Sequence, residues 1–318
     1  MKDMVNPHDR LFKEIEKIKE NSRDLIESTF PQELLEKLDL DTLENDNNSY
    51  IDESLKEFYT DLVFNCKYSG NITIKVSILF EHKSYKPENE YLQLLRYILN
   101  IWDYSVKNKE KPPIVIPVIF YHGSKKWEVK PLSAYFKGAD KNLRQFIPDF
   151  KYIFTDIGEI PEEVILKEKF NNINKVMTLL FKHIADEKYL KEKMVEIFSL
   201  VREFFAGEKR EIIITFLLYI MHTTEIDKEY IRKCLNAISP EGGEIAMTTA
   251  MKLREEGKRE GIQEGIREGI QEGKKEGIQE GLKRKAIEDA KNMLLDGISI
   301  EKAAQYTGLN TFPFSFLS

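Results

Sequence analysis

The sequence predicts an α/β protein: a mixed sheet, then an α-helical region, then a long helical tail of glycine repeats. Three patterns predict this. Ile72, Ile74, Val76, Ile78 and Phe80 fall at every second position, the period of a strand with one apolar face. From Pro161 to about Ile238 the apolar residues recur at helical spacing instead. Beyond that, Gly257, Gly261, Gly265, Gly269, Gly273, Gly277 and Gly281 recur every four residues, each preceded by Glu.

At the N-terminus, Leu11, Phe12, Ile15 and Ile18 predict a helix from His8 to Glu20. A second helix around Ser22 to Thr29 stops near Phe30-Pro31. Asp9 suits the N-cap of the first. Leu34 to Asn48 reads as acidic and irregular, and Ser49-Tyr-Ile-Asp52 as a short strand. Phe58 to Tyr68 is the next strand, joined to residues 72–81 through Ser69-Gly70-Asn71. So short a glycine-containing connection favours an antiparallel hairpin.

Centring that turn near Gly70 sets Asp61 opposite Leu79. Strand alternation groups Thr73, Lys75, Ser77, Leu79, Glu81 and Lys83 on one face. Asp61 and Glu81 are then diagonal cross-strand neighbours, about 7–8 Å apart at the backbone. Two carboxylates so placed can converge on one cation, and Mg²⁺ suits an all-oxygen site. Lys83 beside them can orient a water or offset charge developing on a phosphate. The same residues equally suit a solvated hairpin face, and a one-residue slip would reverse one strand.

Glu90 to Lys107 forms a helix with Leu92, Leu95, Leu99, Trp102 and Val106 among its apolar members. Ile114 to Tyr121 is a strand, so the strand–helix–strand order implies a parallel crossover. Pro117 marks an edge or a bulge. Tyr152 to Asp156 closes the sheet, and His122-Gly123 reads as a structural turn. Gln93 and Tyr97 lie at i,i+4 on one helix face, and the planar fork of Arg96 could meet a phosphate; a plain amphipathic surface is the alternative.

The expected divisions are residues 1–160, a helical bundle over 161–238, a linker over 239–250, a repeat helix over 251–285 and a helical hairpin with its tail over 286–318. Each helical glycine costs about 1 kcal/mol relative to alanine. Close packing against another helix would offset that cost, so the repeat predicts a homo-oligomer. Ser299 is an N-cap candidate in the final hairpin. The tail glycines match neither a phosphate loop nor a dinucleotide fingerprint.

A chain of 318 residues suggests about two domains. Forty-eight Lys+Arg against 54 Asp+Glu give a net charge of −6, which argues against indiscriminate coating of nucleic acid but leaves room for a local basic groove. Cys66 and Cys234 lack ligand spacing and fit a reducing compartment. No signal-peptide pattern opens the chain, and Ile212–Met221 is too short to span a bilayer. The expectation is a cytoplasmic protein with no membrane partner.

Thr60-Asp61 followed by Glu81-His82-Lys83 resembles the D…E-x-K signature of PD-(D/E)XK nucleases. The wider frame is similar to the Rpn family of recombination-promoting nucleases, also called YhgA-like putative transposases. Its matching pieces are Pro7–Lys13, Tyr59–Val63, Phe80–Ser84, Leu94–Tyr97 and Ile116–Gly123, in the family's order over the first half of the chain. The resemblance implies a restriction-endonuclease-like core and a Mg²⁺-dependent DNA endonuclease acting in recombination or mobile-element transfer. It makes Asp61, Glu81 and Lys83 catalytic, with Asp61, Glu81 and the main-chain carbonyl of His82 as metal ligands. Gln93 and Tyr97 are similar to a Gln-x-x-x-Tyr motif of RecB-type nucleases that lies beside metal and DNA. His8 and Asp9 match the family's opening motif, at a helix that borders the active site. Two departures stand out: no proline precedes Asp61, and many members carry glutamine where this chain has Lys83. The competing expectation is a non-catalytic DNA-binding or scaffold protein that oligomerises through its repeat.

Overall fold

The computed structural model describes residues 6–46, 48, 50, 60–70, 72–81, 90–123, 126–130, 132–136, 138–167, 170–207 and 209–309. At 60, 61, 79–81, 90, 132 and 133 it describes the backbone alone. The chain divides into two units, Met1–Ala250 and Met251–Ser318. In chain order the elements begin with α1 (Pro7–Glu16), α2 (Lys19–Thr29), α3 (Gln32–Leu35), β1 (Leu38–Asp46), β2 (Thr60–Tyr68) and β3 (Ile72–Glu81). There follow α4 (Glu90–Lys107), β4 (Ile114–Tyr121), α5 (Lys141–Arg144), β5 (Ile153–Asp156) and α6 (Glu162–Leu166). The rest is helical: α7 (Asn172–His183), α8 (Glu187–Ser199), α9 (Arg210–Thr223), α10 (Lys228–Ile238), α11 (Pro240–Leu295) and α12 (Ile300–Thr307).

Five strands form one mixed sheet in sequential order. β1, β2 and β3 are antiparallel, while β4 and β5 are each parallel to the strand before. At the β2–β3 turn Ser69 and Gly70 take φ of 48° and 82°, the positive sign that tight hairpin turns require. Tyr68 then pairs with Ile72, and the register runs unbroken to Thr60 opposite Phe80. α4 is the crossover that makes β4 parallel to β3. β5 pairs with β4 only from Val118 onward, so Pro117, which has no N–H to give, falls where β4 has β3 alone as neighbour.

Alternation divides the sheet into two buried faces. Val63, Ile119 and Tyr121 pack with Leu94, Tyr97 and Ile101 of α4 and with Trp127. Leu62, Phe64, Val76, Ile78, Val118 and Phe120 are buried on the other face. There Phe12 of α1 meets Phe120 at a ring separation of 5.8 Å.

Several expectations are corrected. The first helix ends at Glu16, and a second begins at Lys19 rather than Ser22. The cap of α1 is Asn6, whose side chain accepts from the His8 amide at 3.1 Å; Asp9 sits in the first helical turn instead. Leu38–Asp46, expected to be irregular, is edge strand β1: Leu38 and Leu40 are buried with Asp39 and Asp41 exposed between them. A register shift between Asp39 and Glu44 interrupts its pairing, which hides the alternation. The proposed strand at 49–52 fails at Tyr50, which is not in a strand; residues 49, 51 and 52 lie outside the described residues. Residues 240–250, read as a linker, are helical, with Ala246 and Thr249 buried.

In the second unit Gly297 (φ 82°) turns the chain into α12, and Ala290, Ala303 and Ala304 pack together. Along the repeat, Ile262, Ile266, Ile270, Ile278 and Leu282 are exposed. A Cβ added at any glycine from Gly257 to Gly281 would meet nothing within 4 Å among the described residues. No helix of the described residues is long and apolar enough to cross a membrane.

Candidate active site

β2 and β3 carry the two predicted carboxylates. Asp61 is the Cα partner of Leu79, and Glu81 is two residues further along β3. Strand alternation therefore sets both positions on the face shared with Val63, Ile119 and Tyr121, where α4 packs. Glu81 is the last residue of β3 and the Cα partner of Tyr121, the last of β4. That is the carboxyl end of the parallel strands, the end where α/β sheets bind ligands. His82 and Lys83 lie outside the described residues.

The residues predicted on α4 are distributed unevenly. Tyr97 is fully buried in the core on this face, Gln93 is half-buried and Arg96 is exposed. Tyr97 is thus a core position, and Arg96 is the one open to solvent.

His8 reaches the same end of the sheet from the opposite face. Its ring lies 4.8 Å from that of His122, the residue after β4. Phe181 of α7 stacks on His122 at 4.7 Å. The Nδ1 atom of His8 is 2.7 Å from the Tyr219 hydroxyl of α9. Burial drives the Tyr219 phenol well above its ordinary pKa, so it stays protonated and can donate to an unprotonated Nδ1. The helical region thereby clamps the strand end from beneath. The sequence offered no spacing that joins Tyr219 or Phe181 to His8: Phe181 reads as an apolar-face position of an amphipathic helix, and Tyr219 lies in a helix that reads as apolar all round.

The other end of the Asp61–Glu81 face is polar too. Lys75 bonds the Asp46 carboxylate and also donates to the Tyr50 hydroxyl (3.2 Å) and Asn65 Oδ1 (3.1 Å). Burial alone would raise the Asp46 carboxyl; bonds from Lys75 and Tyr50 outweigh it and hold the group below its usual range. These side chains line a cleft of about 770 Å³. Lys75 stands six residues from Glu81, roughly 20 Å at the rise of a strand. The network ties β1 to β3 and has no reach to the carboxylate end.

Residues 6–211 match the family model described as "Putative transposase, YhgA-like", which is more than half of the chain. This chain belongs to that family. Among curated relatives, "Recombination-promoting nuclease RpnD" of Escherichia coli O157:H7 is 29% identical over 80% of this chain and 96% of that protein. "Recombination-promoting nuclease RpnA" of E. coli K12 is 24% identical over 97% of this chain and 96% of that protein. "Inactive recombination-promoting nuclease-like protein RpnE" of E. coli K12 is 27% identical over 81% and 85%. No solved structure matches. Family members thus carry both active and inactive names, and the chemistry of this YhgA-like chain turns on its own residues.

Proposed function

We propose that this protein is a cytoplasmic, metal-dependent DNA endonuclease built on a PD-(D/E)XK-like core, acting in recombination or mobile-element transfer. The observation that carries the reading is the Asp61–Leu79 pairing, which makes Asp61 and Glu81 diagonal neighbours at the carboxyl end of β3. Diagonal positions on one sheet face are about 7–8 Å apart at the backbone, within reach of a shared ligand for two carboxylates.

The donor set fits a hard divalent cation such as Mg²⁺, which takes oxygen ligands and keeps several waters. Asp61, Glu81 and the main-chain carbonyl of His82 would hold it. When bound, such an ion polarises a phosphate oxygen and lowers the pKa of a coordinated water. Lys83 would orient the attacking water and offset charge on the phosphate. Arg96, exposed on α4, would grip a neighbouring phosphate with its planar fork, and Gln93 and the buried Tyr97 would support that helix. His8, held by Tyr219, and Asp9 would fix the strand end from the opposite face.

The repeat of α11 would pair two chains, giving a duplex two cutting sites. A non-catalytic DNA-binding or scaffold protein is the alternative, favoured by the inactive name of RpnE. Plasmid nicking with Mg²⁺ or EDTA, wild type against Glu81→Ala, decides between them. Magnesium-dependent nicking lost in the variant supports the nuclease; none in the wild type leaves the scaffold.

A further inference from the structure

Between β4 and β5 runs a 122–152 crossover whose composition departs from the rest of the chain. It holds seven Lys/Arg against three Asp/Glu, in a protein with net charge −6. The segment leaves β4 at Tyr121, the Cα partner of Glu81, so it starts beside the proposed cutting end.

Buried Trp127 and half-buried Tyr135, Phe150 and Tyr152 hold it against the Asp61–Glu81 face. Trp127 packs edge-on to Tyr121 at 5.1 Å. Tyr135, Phe150 and Tyr152 each pack edge-on to Tyr91, in the first turn of α4 (6.1, 5.4 and 5.3 Å). Its middle is locally ordered as well. Asp140 caps α5 by accepting from the amides of Asn142 and Leu143 at 2.9 and 3.0 Å. The amides of Phe146 and Ile147 close back on Leu143 and Arg144.

This ordered turn nevertheless turns its apolar side chains outward. Leu143 is 57% exposed and Phe146 79%, with exposed Lys141 and Arg144 among them. Leu143 and Phe146 are spaced i,i+3, so they share a face. A hydrogen-bonded turn that presents an exposed aromatic ring together with two exposed cations matches what single-stranded nucleic acid needs: cations for phosphates and a π-face for an unpaired base. Paired bases hide their faces in the stack, so such a ring can stack on DNA only where the strand is open.

We propose that the 122–152 crossover is a nucleic-acid-engaging surface that prefers DNA with unpaired bases, with Phe146 as a stacking platform and Lys141 and Arg144 as phosphate contacts. This rests on the reading of DNA as the substrate and adds a preference for open stretches within it.

The test measures binding of the full chain in EDTA, by fluorescence anisotropy, to a short labelled single-stranded DNA and to the corresponding duplex. Phe146→Ala should weaken single-strand binding about fivefold or more and leave duplex binding unchanged, while Phe146→Tyr restores it. Joint Lys141→Gln and Arg144→Gln changes should weaken both DNAs and flatten the salt dependence. Unchanged single-strand affinity in Phe146→Ala, or equal losses on both DNAs, overturns the proposal. So does a change of mass in light scattering without a change in DNA affinity, which would make the ring a contact between chains. Binding that depends on Phe146 without any cleavage would sink only the nuclease reading.

Discussion

Asp61 and Glu81 are diagonal neighbours across the antiparallel β2–β3 pair, because Asp61 stands opposite Leu79. On the proposed nuclease reading, the relationship names the changes that should silence the protein without unfolding it. Asp61→Ala and Glu81→Ala should each abolish Mg²⁺-dependent plasmid nicking and keep the wild-type circular-dichroism spectrum. Full metal-dependent cleavage by either variant would refute the assignment. Lys83→Gln should keep a fraction of activity, because the family resemblance implies that glutamine can stand there; background activity equal to Lys83→Ala would show that analogy to be wrong.

This register was legible because strong local signals agree. Alternation over Ile72–Phe80 and a glycine turn leave one pairing that keeps the apolar set together, and α4 was bounded by its own periodicity. The misses have the opposite cause. β1 mixes Asp, Asn and Glu with few apolar residues, and its irregular register breaks the period after two repeats. α11 begins through Pro240 and Gly242-Gly243, residues that read as a linker; Pro suits a first helical turn, and tertiary packing holds the two glycines. A Cβ at Gly242 would come within 2.8 Å of the Leu235 carbonyl oxygen, so glycine there permits close approach. The clamp of His8 by Tyr219 joins residues 211 apart, a distance no spacing rule reaches.

That clamp gives a second prediction. Tyr219→Phe removes the bond to His8 Nδ1 and keeps the ring, at a cost of about 1 kcal/mol, or a fall in melting temperature of about 2–4 °C for a unit of this size. Tyr219→Ala empties a buried aromatic site and should cost about 3–5 kcal/mol. Equal melting temperatures for wild type and Tyr219→Phe would show that the bond contributes nothing to stability.

Glu16 gives a third. It is fully buried on α1, and neither carboxylate oxygen has a hydrogen-bond partner among the described residues. Burial raises its pKa well above the ordinary value; the nearby Ser22 hydroxyl offsets only part of that rise, and Asp24 adds to it. The folded protein therefore holds a proton that the unfolded chain releases. Its contribution to stability is full below the ordinary glutamate pKa and is lost as pH rises toward the folded value. Glu16→Gln cannot ionise in either state, so its urea midpoint should exceed that of wild type at pH 8 and approach it at pH 5. Parallel curves for the two proteins across that range would count against a neutral Glu16.

The last prediction concerns the repeat. Seven glycines at about 1 kcal/mol each should leave α11 a poor helix on its own. Their open Cβ positions mean that Gly→Ala in an isolated chain brings no clash and recovers that helical free energy. Where a second backbone lies against the stripe, the added methyls hold the helices apart. Gly265→Ala with Gly269→Ala should therefore raise helicity at high dilution while weakening association, opposite signs that a flexible spacer would not produce. Truncation after Ala250 keeps the buried Ala246 and Thr249 and removes the repeat whole. The truncated chain should be a folded monomer that nicks plasmid DNA but makes fewer double-strand breaks. Light scattering on full-length, truncated and Gly→Ala proteins decides it: identical monomeric masses for all three would make the repeat a spacer rather than a pairing element.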